Sequence, residues 1–179
     1  MQNTLKLKNM LYKDLIDKRK VIFIQEKFGY VFSGSLGLSL QIPLNKKISI
    51  KENDSSLLLQ SNEKSLFFLY KKLIHQKIIG VVYGFKKKLK LEGIGFVAVL
   101  DNNKLNLKLG FSHSVNIDVP SSIKILIKKR KRLILLGSDL NEVTQFAAKI
   151  RSYKVPEIYK GKGILYFKEK INLKVGKKT

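Results

Sequence analysis

The sequence predicts an α+β fold: two tandem, similar domains, each an antiparallel-rich β-sheet with one packed α-helix, plus a basic C-terminal extension. Three observations point there. Apolar residues alternate at period two over long stretches and switch, once in each half, to a helical stripe. The 179 residues are 44% hydrophobic, enough core for one ordinary domain or two small ones. From Lys154 onward the chain holds eight Lys against two Glu, around Pro156, Gly161 and Gly163. The expected division is an N-terminal arm over 1–20, a first domain over 21–80, a second over 81–153 and a basic tail over 154–179.

In the first half, Val21-Ile22-Phe23-Ile24 reads as a short strand and Lys27-Phe28-Gly29 as a turn. Leu36, Leu38, Leu40 and Ile42 alternate with small or polar residues, so one face is buried and the other wet, up to Pro43 and Asn45. Ile48 and Ile50 begin the next strand, and Asn53-Asp54 turns into Leu57-Leu58-Leu59. The period then changes. Leu66, Leu69, Leu73, Ile74 and Lys77 form one helical stripe, with Asn62 placed as N-cap and Gly80 where a helix would end.

The second half repeats the plan. Leu89 and Leu91 alternate with Lys88 and Lys90; Ile94, Phe96, Ala98 and Leu100 follow, and Asp101-Asn102-Asn103 reads as a hairpin turn. Leu105, Leu107 and Leu109 make a strand, then Val115, Ile117 and Val119, stopped by Pro120. Ile123, Ile125 and Ile127 lead into the basic turn Lys128-Lys129-Arg130-Lys131-Arg132, and residues 133–136 return as a strand. Asp139 with Glu142 resembles a capping box, and Val143, Phe146, Ala147 and Ile150 recur at helical spacing. Pro156 pushes its neighbour out of the α region and stops this helix.

Charge indicates the partner. Lys and Arg number 36 against 13 Asp and Glu, a net charge of +23. Such an excess seeks a polyanion, and its spread through folded-looking segments favours nucleic acid over a membrane surface. Residues 1–80 hold 14 basic and 6 acidic side chains, and residues 81–179 hold 22 and 7, so the second half is the expected nucleic-acid binder. Cysteine is absent, which removes disulfides, thiolate zinc sites and thiol catalysis. No apolar run nears the roughly 18 residues that span a bilayer. The first ten residues resemble neither a signal nor a transit peptide, so the chain is expected to work in the compartment where it is made. Lys dominates over Arg, with abundant Ile, Leu, Asn and Phe, as in A·T-rich genomes of organelles or some bacteria.

Gly93-Ile94-Gly95 matches part of a dinucleotide fingerprint in letters, but strand alternation continues on both sides and no helix opens there. Those glycines are expected to ease a bend. His75 and His113, without Cys and with few nearby carboxylates, make no metal site, and no nucleophile with a base can be assembled. No catalysis, cofactor, metal or small-molecule substrate is expected. The candidate RNA-binding residues fall in three groups. Lys86, Lys87, Lys88 and Lys90 follow Tyr83 and Phe85; His113 and Ser114 lie in a loop; and the tail supplies the rest. Around the tail these are Arg151, Tyr153, Lys154, Pro156, Tyr159, Lys160, Gly161, Lys162, Gly163, Lys168, Lys170, Lys174, Lys177 and Lys178. Glycine-loosened, basic backbone beside an aromatic suits a phosphate chain.

The tail run Pro156-Glu157-x-Tyr159-Lys160-Gly161-Lys162-Gly163-Ile164-x-Tyr166 resembles the C-terminal signature of the universal L-six family of large-subunit ribosomal proteins. Leu107-Lys108-Leu109-Gly110-Phe111-Ser112-His113 is similar to a second block of that family, and Lys90-Leu91-Glu92-Gly93-Ile94-Gly95-Phe96 to another. Thr144-Gln145-Phe146-Ala147-Ala148 resembles the helix of mitochondrion-encoded members, and the resemblance runs over about residues 66–178. It implies two related α+β domains and a structural role without catalysis. It implies binding to large-subunit rRNA, mainly through the second domain and tail, near the sarcin–ricin loop and the factor-binding side, among neighbouring large-subunit proteins. The implied location is the mitochondrial matrix, in the mitoribosome, with a plastid or a bacterial cytoplasm as alternatives. The rival function is an extraribosomal RNA- or DNA-binding regulator.

Overall fold

The structure is a computed structural model that describes residues 21–26, 29–38, 41–43, 45, 47–53, 56–61 and 63–176. It is α+β, with antiparallel sheets and, among the described residues, two helices, and the chain divides into two units, Met1–Gly84 and Phe85–Thr179. The arm expected over 1–20 lies outside the described residues.

In the first unit β1 (Val21–Glu26), β2 (Gly29–Gly34), β3 (Gly37–Leu38) and β4 (Ile42–Pro43) form a four-stranded sheet, with β2 pairing to each of the others. Of the strand expected over 36–42, β3 and Ile42 of β4 pair along the edge of β2 opposite β1, Leu36 sits exposed in a turn, and residues 39 and 40 lie outside the described residues. Sequence periodicity overlooked β2 because Tyr30, Val31 and Phe32 are buried consecutively, which leaves no alternation to see. β5 (Ile48–Asn53) and β6 (Ser56–Ser61) pair antiparallel as a separate hairpin.

α1 (Lys64–Val82) buries Phe67, Tyr70, Ile74, Lys77, Ile78 and Val81, whereas Leu69 of the expected stripe is half exposed. The large aromatics take the core-facing stripe and Leu69 falls off it. The helix runs through Gly80. Gly84 takes the left-handed position beyond its end (φ 72°), and its N–H reaches the carbonyls of Ile79 and Gly80. Glu63 holds the N-cap position without a side-chain cap bond, and Asn62 lies outside the described residues. The Tyr70 hydroxyl donates to the Pro43 carbonyl at 2.8 Å. Burial, helped by the nearby Tyr30, pushes its pKa above the usual tyrosine value.

The second unit contains β7 (Phe85–Glu92), β8 (Val97–Asp101), β9 (Lys104–Lys108), β10 (Val115–Asp118), β11 (Ile123–Lys128), β12 (Arg132–Gly137), α2 (Leu140–Ser152) and β13 (Gly163–Tyr166). They form two sheets, ordered β10-β9-β8 and β11-β12-β7-β13. The hairpin between β8 and β9 is a two-residue turn with Asn102 and Asn103 at φ 41° and 61°, as its sequence leads one to expect. Alternation holds well here: Leu89, Leu91, Leu105, Leu107, Leu133 and Leu135 are essentially fully buried in one core, with Val143, Phe146, Ala147 and Ile150 from α2. Ile94 and Leu100, expected in line with Phe96 and Ala98, are exposed instead. The Asp139 side chain caps α2 by accepting from the Asn141 N–H at 2.8 Å, and Glu142 sits in the first turn.

The main difference from the expected layout is at the C-terminus. Of the tail expected over 154–179, the described residues 154–176 do not lie apart from the second unit, because β13 pairs with β7 along Gly163–Tyr166 and buries Ile164 in the common core. Glycine is required for that return. A Cβ on Gly163, at φ 154°, would stand 2.6 Å from the Pro156 Cα. Substituting Ile164→Ala should destabilise the second unit by about 2–5 kcal/mol. Gly163→Ala should cost about 2 kcal/mol or more, through backbone contact and strain. Chemical denaturation followed by circular dichroism checks both, and an unchanged midpoint in either would show that β13 is not part of the folded core.

Candidate nucleic-acid interface

The site is built by the chain's exit from α2. After the C-cap Tyr153, residues 154–156 run out and the chain closes a loop: the Gly161 N–H donates to the Glu157 carbonyl and the Glu157 N–H to the Lys162 carbonyl, each at 3.0 Å. Gly161 adopts φ 67°, a conformation costly for other residues. The Ile164 N–H then donates to the Lys154 carbonyl at 2.9 Å, which sends the chain into β13. Lys160 and Tyr159 are left exposed on the loop, while Gly161 and Gly163 are buried beneath it.

This exit meets two other loops. Residues 93–95 form a tip in which Gly95 has φ 75° and Ile94 is 89% exposed. Phe111 and His113 stack with ring centroids 6.1 Å apart and planes 16° apart, and the Lys154 ammonium lies 4.4 Å from the Phe111 ring centroid. An open cavity of about 620 Å³ lies between these segments, lined by Ile94, Phe96, Gly110, Tyr153, Lys154 and Lys162 among others, with Glu157 as the acidic member. Exposed rings, two lysines and a solvent-open hollow can accept an anionic chain whose bases offer flat faces. Nothing here assembles a nucleophile with a base.

Of the expected site residues, the structure brings His113, Tyr153, Lys154, Pro156, Glu157-flanked Lys162 and the two glycines together around this exit. Ser114 is exposed at the end of the same loop. Arg151 has another commitment. Its Nη2 donates to Glu169 Oε1 at 2.5 Å, and its guanidinium lies 5.4 Å from the Tyr166 ring centroid. Glu169 also accepts from the Tyr166 N–H, so Arg151 ties residues 166–169 to α2. Lys168 is exposed within this tie and Lys170 and Lys174 beyond it, and the Lys174 N–H returns to the Ile158 carbonyl at 3.0 Å. Lys177 and Lys178 lie outside the described residues.

Lys86, Lys88 and Lys90 are not at the exit. They alternate along β7 on the sheet face turned from the core, while Lys87 is half buried on the core side, 5.9 Å from the Tyr166 ring centroid. A four-lysine run is thus divided by the pleat. Sequence reasoning passed over Ile94, Phe96, Gly110 and Phe111 as site members. An isoleucine bracketed by glycines in a basic chain was the available signal, read instead as a bend.

A family model described as Ribosomal protein L6 matches residues 92–167, which hold the tip, the stacked loop and the exit. The chain is 41% identical over 150 residues to "Large ribosomal subunit protein uL6" of Mycoplasmoides gallisepticum, covering 80% of this chain and 82% of that protein. It is 40% identical over 158 residues to "Large ribosomal subunit protein uL6m" of Reclinomonas americana, covering 81% and 85%. With the protein of the same uL6 name from Mycoplasma pneumoniae it shares 36% identity over 168 residues, 90% of this chain and 91% of the other. The last alignment is longer than residues 66–178, so the likeness reaches into the first unit. Family members are structural proteins and not enzymes, and on this likeness over nearly its whole length the chain belongs to the ribosomal protein L6 family.

Proposed function

We propose that the chain is a structural constituent of the large ribosomal subunit that binds large-subunit rRNA and packs beside neighbouring subunit proteins. The carrying observation is the convergence of the half-buried Lys154 and Lys162 and the exposed Lys160 with aromatic rings at the exit from α2, inside the segment that the family model matches. The contacting residues in this proposal are Lys154, Lys160, Lys162, Tyr159, His113 and the exposed lysines 168, 170 and 174, with Lys86, Lys88 and Lys90 on the sheet. Lysines act there as hydrated point charges that position the protein more than they read sequence. The rRNA region proposed is that near the sarcin–ricin loop, on the factor-binding side. The proposed home is the mitochondrial ribosome, supported by the uL6m relative; the bacterial relatives are as similar, which keeps a plastid or bacterial ribosome as the second reading.

Sedimentation of fractionated cells tests the role. The chain should travel with large subunits, and recovery wholly in ribosome-free fractions would favour a regulator outside the ribosome. Binding to a large-subunit rRNA transcript should weaken linearly in log–log form with salt. The triple variant Lys154→Gln, Lys160→Gln, Lys162→Gln should lower that slope by about 2–3, at roughly 0.7–0.9 per lost phosphate contact. An unchanged slope would contradict the assignment. Truncation of 171–179, which leaves β13 in place, should weaken RNA binding while keeping the thermal transition of the second unit. Truncation of 155–179 should abolish that transition, since it removes Ile164 from the core. If both truncated chains melt alike, β13 has no role in the fold.

A further inference from the structure

The face of the β11-β12-β7-β13 sheet turned away from α2 carries cations that the exit cluster does not include. Register fixes which ones. Lys124, Leu136 and Lys86 stand in one row across β11, β12 and β7; Leu126, Ile134 and Lys88 in the next; Lys128, Arg132 and Lys90 in the third. Neighbours in such rows point to the same side. The opposite side is the core side, since Leu89, Leu133 and Ile125 on the intervening rows pack in the core with α2. Six of these nine positions are cationic and none is acidic. Glu92, next on this face of β7, pairs with Lys90. The other five cations are exposed. Ile134 and Leu165 on this face are buried yet stand outside the core cluster, and the Lys88 ammonium lies 5.0 Å from the ring centroid of the half-exposed Phe167.

We propose that this plate is a second phosphate-binding surface, which holds an RNA backbone segment other than the one held at the exit from α2. The proposal rests on the rRNA-binding reading above. Charge complementarity selects the occupant. Protein interfaces are depleted of lysine, and here five of the nine positions are lysines that flank the apolar middle of β12 on both sides. Along β7 the alternate lysines are spaced by about 6.6 Å, two strand residues, so the exposed Lys86 and Lys88 line one track with Lys90, which Glu92 partners, at its end. Arg132 adds a forked donor at the corner of the plate, suited to a phosphate. The plate and the exit together would let one folded unit clamp two RNA segments.

The test uses the full chain and a large-subunit rRNA transcript as probe. The variant Lys86→Gln, Lys88→Gln, Lys124→Gln, Lys128→Gln changes only exposed side chains, and its melting curve checks that it folds. Its salt slope should fall by about 3. Hydroxyl-radical footprinting should show it losing protection at nucleotides that the Lys154, Lys160 and Lys162 triple variant still protects. Arginine at the same four positions should restore both. If the plate variant binds and protects as the parent does while the triple variant is weakened, the plate proposal falls and the RNA reading stands. If neither variant is weakened, both fall. Crosslinks from the plate to a protein in assembled subunits, with the RNA footprint unchanged, would also overturn it.

Discussion

Gly163 lies so close to the backbone of Pro156 that no side chain fits between them, and this contact decides where the basic C-terminal residues go. The chain leaves α2, turns at Gly161 and comes back under itself as β13, on the free edge of β7. Main-chain pairing with β7 and the burial of Ile164 then hold the return in place. Lys154, Lys160 and Lys162 are thereby fixed on a closed loop. A cation fixed before its partner arrives loses less freedom on binding than one on a loose strand.

The remaining contacts serve the same end. Arg151 joins α2 to Glu169 and leans on Tyr166, so Glu169 is committed to Arg151 and does not neutralise the nearby lysines. Lys154 lies over Phe111, which links the exit to the stacked loop carrying His113. The pleat of β7 sends Lys86, Lys88 and Lys90 to one face and Leu89 and Leu91 to the other, so one strand supplies both core and surface charge.

The second unit was largely legible because its strands alternate cleanly and its turns carry the right residues. Asn102 and Asn103 occupy the left-handed turn that their side chains tolerate, and Asp139 caps α2. The first unit was less so. β2 buries three consecutive residues, which breaks the period, and α1 presents Phe67 and Tyr70 to the core in place of Leu69. Gly80 looked like a helix end, but Gly84 supplies the left-handed turn. The tail was identified as basic and glycine-dependent; its strand was hidden because residues 163–166 are too short to show a period. Which cations face which way follows from strand register, and a run such as Lys86-Lys87-Lys88 does not disclose it.

Native-state hydrogen exchange of the Ile164 amide in the RNA-free protein is the most direct measurement. Its donation to the Lys154 carbonyl within a buried strand predicts exchange as slow as that of the β7 core amides, reached only by opening of the whole second unit. Exchange at the rate of an unstructured peptide, slowing only when rRNA is added, would mean that RNA orders the tail and that the fold does not place its lysines in advance.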